Sequence, residues 1–92
     1  MPMLFARYRV GDIASWRPAF AANEPSRRDH GLTVKAVYRD AMYVDGVIVV
    51  YEAVDLERAH DFYHSDSQRE RMGASGLKRA PEFWMGLDLE GS

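Results

Sequence analysis

From Met3 to Val10 the chain reads MLFARYRV, with Leu4, Ala6, Tyr8 and Val10 on one face and Phe5 opposing them among Arg7 and Arg9. A period of two predicts a strand. Gly11 and Asp12 end it, and Asp12 is placed to cap a helix whose Ile13, Trp16 and Phe20 recur at spacings of three and four. Pro18 lies inside that segment, so an irregular helix start near Ser15 is expected, with the proline in the first turn. Glu24 to Gly31 (EPSRRDHG) is polar and bounded by Pro25 and Gly31, which predicts a loop carrying Arg27, Arg28 and His30.

Alternation resumes from Leu32 to Asp40, where Val34, Ala36 and Tyr38 share a face opposite Lys35 and Arg39, and Val37 breaks the pattern. One wet side suits an edge strand. Asp45-Gly46 signals a hairpin turn, and Val47 to Val54 is β-branched and apolar on both faces, as a covered central strand would be. Asp55 caps a second helix with Leu56, Ala59, Phe62 and Tyr63 as its buried stripe. Ser65 to Met72 is expected to add a helical turn before Gly73 and Gly76 break it. In the last segment, Glu82 to Leu89, Phe83, Met85, Leu87 and Leu89 lie opposite Trp84, Gly86 and Asp88, which predicts a fourth strand.

Strand, helix, strand, strand, helix, strand is the ferredoxin-like split βαβ order. The expected fold is α+β, a four-stranded antiparallel sheet with two helices on one face. The other face would expose apolar side chains, and packing a second copy against it predicts a homodimer, a homodimeric α+β barrel.

Ninety-two residues accommodate one hydrophobic core and therefore one domain. A 47% hydrophobic, 28% charged composition is that of a folding globular chain. The net charge of −2 supplies no field for phosphate backbones or anionic lipid, which argues against nucleic acid and membrane partners. The longest apolar run, Gly46 to Tyr51, is far too short to span a bilayer, and the N-terminus lacks the succession of a signal peptide, so a cytoplasmic location is expected. With no cysteine, thiolate chemistry, iron–sulfur clusters and the usual structural zinc sites are excluded.

Trp16 and Phe20, Arg28 and Gly31, Asp55, Ala59, Phe62 and Ser65, and then Met72, Gly76 and Pro81 together resemble the dimeric α+β barrel superfamily. That group includes antibiotic-biosynthesis monooxygenases, polyketide cyclase-like proteins and uncharacterised stress-responsive barrels. The resemblance spans nearly the whole chain. It rests on packing and turn positions, so it implies architecture more firmly than chemistry.

Three constellations have chemical potential. His60 and His64 stand four apart on the second helix, the spacing of two ligands to one metal, with only Glu57 or Asp61 as a third donor; a solvated helix flank is the better reading, and no metal site is expected. His30 lies beside Arg28 and Asp29 where a helix end meets the sheet, a place for a proton-exchanging side chain as well as for ordinary turn chemistry. Tyr8, Tyr38, Tyr51, Trp16, Trp84, Phe62 and Tyr63 form a large aromatic set, which packs a core or lines a cavity for a flat ligand. The paired Arg27 and Arg28 read as solvated surface or as a carboxylate or phosphate contact. No phosphate loop, dinucleotide fingerprint or hydrolase nucleophile motif is present.

Taken with the resemblance, these features imply a small-molecule enzyme that needs no cofactor, a cyclase or monooxygenase acting on an aromatic or polyketide-like substrate. His30 would be the acid or base, with Arg7 or Arg28 steadying a developing enolate or phenolate, and Trp16, Tyr51, Phe62 and Trp84 holding the rings. The alternative is a non-catalytic dimeric barrel that binds a ligand or a protein. Haem binding is the weakest idea, since no histidine sits convincingly on a buried helix face.

Overall fold

A computed structural model describes residues 2–64 and 81–89. Seven elements follow in the order β1 (Met3–Arg9), α1 (Ile13–Ala22), α2 (Glu24–Asp29), β2 (Leu32–Arg39), β3 (Gly46–Ala53), α3 (Leu56–Tyr63) and β4 (Glu82–Gly86). The strands form one antiparallel sheet in the order β2-β3-β1-β4. This is the ferredoxin-like α+β arrangement expected from the hydrophobic pattern. The predicted turn over Ser65 to Met72, with its Gly73 and Gly76 break, lies outside the described residues.

The inner face of the sheet is built from alternate positions of the two central strands. Leu4, Ala6 and Tyr8 of β1 and Val47, Val49, Tyr51 and Ala53 of β3 are all at most 4% exposed. Trp16 from α1 and Ala59, Phe62 and Tyr63 from α3 complete the same cluster. Burying such side chains contributes roughly 1.5–3 kcal/mol each, which is why strict alternation on β1 and β3 decides which face the helices cover.

Five local expectations are corrected. The first helix begins at Ile13, capped by Asp12, whose side chain accepts from the Ala14 N–H, and it runs through Pro18 without the expected start near Ser15. Pro18 and the residue four before it, Ala14, are both exposed, so water can satisfy the carbonyl that the missing N–H abandons. Glu24 to Asp29 is a short helix rather than a loop, so among the described residues the sheet carries three helices. A proline near its start, an acid in its first turn and two arginines in its last are helix signals that the polar composition masked.

The second strand carries a bulge between Val34 and Ala36. Val34 pairs with buried Tyr51, whereas Ala36 and Tyr38 pair with Val50 and Ile48 of the opposite face, so the three do not share one side. Val37, which broke the alternation, pairs with Val49 because the extra residue inverts the register. Finally, Asp45-Gly46 is not the centre of a two-residue hairpin. The connection spans 40–45, and Gly46 opens β3, where a side chain's Cβ would lie 2.8 Å from the Cβ of Asp40. The one positive φ among the described residues is Gly31 at 78°, which ends α2 and turns the chain into β2. The fourth strand stops at Gly86, leaving Leu87 and Leu89 exposed.

Candidate functional site

The two faces of the sheet separate the residues that the sequence grouped. Register places Phe5, Arg7, Arg9, Ile48, Val50, Glu82 and Trp84 on the face away from the helices. There Phe5 stacks on Trp84 at 6.0 Å, and Arg7 lies 2.8 Å from Asp40, 3.5 Å from Glu82 and over the rings of Tyr43 and Trp84. Arg9 pairs with Asp45 at 2.7 Å and also covers Tyr43. The Met42 N–H and the Arg7 charge hold the Asp40 carboxyl below the usual range. Arg7 and Trp84 are therefore committed to the outer face and cannot share a cavity with Trp16, Tyr51 and Phe62.

On the inner face the aromatic set converges. Trp16 stacks on Phe20 with centroids 4.6 Å apart, and Tyr8 is tilted against Trp16 at 5.9 Å. Phe83 from β4 closes on Tyr63 at 4.3 Å. At the centre three phenols meet: the Tyr8 and Tyr51 hydroxyls are 2.8 Å apart, and Tyr8 Oη donates to Tyr63 Oη at 3.4 Å. Strands β1 and β3 bring the first two together and the last turn of α3 supplies the third.

Burial raises all three phenols above their ordinary range, Tyr8 and Tyr63 well above it. They are neutral hydrogen-bonding groups at any physiological pH. A raised folded pKa makes the stabilising contribution complete below the unfolded value of about 10, and the contribution is lost as pH rises through the folded values. In an alkaline titration, the tyrosinate absorbance of this trio is expected to appear only together with loss of circular dichroism. Ionisation of all five tyrosines with the spectrum of the fold intact would contradict the burial.

Beside this cluster lies a group that the sequence reads either as solvated surface or as a carboxylate or phosphate contact. Arg27, on α2, is 3% exposed, with its guanidinium carbon 3.9 Å above the ring of Phe20. Its Nε is buried without a hydrogen-bond partner among the described residues. The positive charge opposes the burial effect on Tyr51 and Tyr63. Trp16, Phe20 and Arg27 follow one another at spacings of four and seven, a helical stripe that a helix assignment for Glu24 to Asp29 would have exposed.

The remaining candidates are placed less favourably for chemistry. The Nδ1 of His30 is 2.8 Å from the Ser26 carbonyl, not on Asp29, and its ring packs on Phe62 at 4.6 Å. Arg28 is an exposed partner of Glu24 one turn earlier on the same helix. The rings of His60 and His64 lie 4.3 Å apart, tilted by 36°, on the solvent side of α3. Among the described residues no group of three His, Asp or Glu side chains is arranged to hold a metal, and no helix is long and apolar enough to cross a membrane.

An open groove of about 510 Å³ runs between the start of α1 and the second half of β2. Its lining includes Trp16, with Val37 and Arg39, which the bulge turns towards the helices, and Arg17 and Asp12 from the helix side. The groove thus meets the buried aromatic cluster at Trp16.

No protein-family model and no curated protein sequence matches the chain. Solved structures do. One, from Bordetella bronchiseptica and bearing the name antibiotic biosynthesis monooxygenase, superposes with a TM-score of 0.76 at 16% identity, covering 96% of both chains. The chain has their fold. SnoaB from Streptomyces nogalater, a cofactor-independent oxygenase, superposes at 0.71 with 12% identity over 98% of this chain and 94% of its own. An uncharacterized NIPSNAP domain protein from Burkholderia xenovorans gives 0.68 at 8% identity, over 98% and 96%. At these identities the likeness concerns architecture.

Proposed function

We propose that the inner face of the sheet is the active site of a cofactor-independent monooxygenase or cyclase for flat aromatic, polyketide-like substrates. The observation that carries this reading is the meeting of three neutral phenols inside an aromatic shell. Such hydroxyls are preorganised donors and acceptors for a substrate phenol or enol, and donors aimed at a developing oxyanion are among the largest single contributions to catalysis. Trp16, Tyr51 and Phe62 serve as ring-holding walls, and the groove that ends at Trp16 is the approach. Polar contact with the substrate passes from His30 to the tyrosines as neutral hydrogen-bonding groups, because His30 is bonded to a backbone carbonyl and packed on Phe62. The structural likeness to SnoaB supports the oxygenase arm.

In that arm a phenol is converted to a quinone by dioxygen. One oxygen atom enters the ring as the new carbonyl, the other leaves as water with the two displaced hydrogens, and the substrate supplies the electrons. Incubation with a polycyclic phenol in chelator-containing buffer, followed with an oxygen electrode, is expected to show one dioxygen consumed per quinone formed. Conversion to a ring-closed isomer without oxygen uptake identifies the cyclase arm. Tight binding with neither outcome identifies a ligand-binding barrel.

The outer face is the proposed seat of a second copy of the chain, because Phe5, Trp84, Ile48 and Val50 leave an apolar surface there whose charges are already paired within the chain. A dimer is expected in analytical ultracentrifugation at micromolar concentration, and Trp84→Glu is expected to yield a folded monomer. A monomeric parent protein would refute this assignment.

A further inference from the structure

Over its second half, the core side of β2 borders open space. Val37 lies opposite Val49 and Arg39 opposite Val47, so the bulge places both on the face that elsewhere forms the core. Val47 and Val49 are at most 3% exposed, yet Val37 is 42% exposed and Arg39 is exposed as well. An apolar side chain left in water on the core side of a sheet forgoes the free energy that its burial would release. The groove of about 510 Å³ is the space beside Val37, with Ile13, Trp16 and Arg17 of α1 as the facing wall. That volume is within the range of small-molecule sites.

Charge reaches this opening from both walls. Arg17 stands on the helix side, next to Trp16 in the chain, and Arg39 on the strand side, two residues after Val37. The one acid in the lining is Asp12, and its carboxylate is occupied: one oxygen accepts from the Ala14 N–H and the other from the Ser15 hydroxyl. Guanidinium forks match the two oxygens of a carboxylate, and cations on opposite walls of an apolar trough raise the local concentration of an anion.

We infer that this groove is a binding seat for a small amphipathic carboxylate, whose apolar body lies on Val37 along the wall of Ile13 and Trp16 and whose carboxylate is held by Arg17 and Arg39. The inference goes beyond the reading of the phenol cluster, since the ligand need not enter the packed interior. It gives the approach to Trp16 a selectivity of its own, for anions over neutral molecules of the same shape.

The test is a calorimetric titration of the whole chain at low ionic strength with 2-naphthoate and with its neutral isostere 2-naphthamide. The unmodified protein is expected to bind the carboxylate at least about fivefold more tightly, the scale of two solvent-facing guanidinium contacts. That preference is expected to shrink in about 0.5 M salt, because exposed charges are screened. It is expected to fall in Arg17→Gln and in Arg39→Gln and to vanish in the double variant, while the affinity for the amide changes by less than about twofold. Both arginines are exposed, so the urea midpoints of these variants are expected to match the parent. Val37→Phe fills the groove without touching its charges and is expected to weaken both compounds by about tenfold. Equal affinities in the unmodified protein, or a preference that survives the double variant, overturn the anion seat and leave the chemistry of the phenols to its own oxygen-uptake test. Carboxylate binding unaffected by Val37→Phe, or binding of neither compound, overturns the groove as the seat. A lowered urea midpoint in the glutamine variants would make the arginines structural residues and overturn the assignment as well.

Discussion

Replacing Trp16 with alanine is expected to lower the free energy of unfolding by about 3–5 kcal/mol, the range for truncating a buried indole. The side chain is 3% exposed, stacks on Phe20 and leans on Tyr8, so its removal leaves a cavity between α1 and the sheet that neither helix nor strand can close alone. Small domains have only about 5–15 kcal/mol in total, so the variant should be partly unfolded at 37 °C. The matching change on the other face, Trp84→Ala, removes a ring that is 43% exposed and should cost the isolated chain about 1 kcal/mol or less. Urea denaturation of both variants, with the slope checked for constancy, measures the difference. Similar costs for the two tryptophans would mean that the inner face is not the core.

The second large effect concerns chemistry. Tyr51→Phe removes one hydroxyl from the trio and is expected to reduce kcat on a polycyclic phenol by about 10²–10³-fold with a small change in KM, the signature of an interaction made mainly in the transition state. Stability should change by only about 1 kcal/mol, because the Tyr8 hydroxyl keeps its contact to Tyr63. Steady-state kinetics and denaturation of the same preparation separate these effects. A variant as active as the parent would remove the phenols from the mechanism. His30→Ala serves as the contrast: its ring contacts Phe62 and a backbone carbonyl, so a change in stability with kcat largely preserved is expected.

The fold was legible where one physical signal dominated. Alternation along β1, the aspartate caps at Asp12 and Asp55, and the stripe of Leu56, Ala59, Phe62 and Tyr63 each follow from local periodicity and capping, and each matches the structure. The bulge in β2 was visible only as the misfit of Val37, since a single inserted residue inverts a face without leaving a composition signal. Glu24 to Asp29 was hidden by its polarity, because a six-residue helix has too few positions to show an apolar stripe of its own. Continuing the Trp16 and Phe20 stripe across Asn23 would have reached Arg27.

The candidate site was legible as a set of aromatic residues but not as a place. Tyr8 and Tyr51 are 43 positions apart, and Tyr8 and Tyr63 are 55 apart, so no local pattern pairs their hydroxyls. Sorting the rings by sheet face requires the register. Arg7 and Trp84 went into the wrong group because a two-residue period shows which neighbours share a face, not which face the helices will cover. His30 and Arg28 drew notice as loop residues, and once Glu24 to Asp29 is helical Arg28 becomes an exposed partner of Glu24, while the buried cation is the residue before it.

The two tryptophans of the chain offer the most direct test, since they lie on opposite faces of the sheet. In a ¹⁵N-resolved spectrum each gives one indole N–H signal, and titration with a polycyclic phenol is predicted to shift the Trp16 signal progressively to saturation while leaving that of Trp84 in place. A shift at Trp84 with Trp16 unmoved would put the ligand on the outer face and contradict the account.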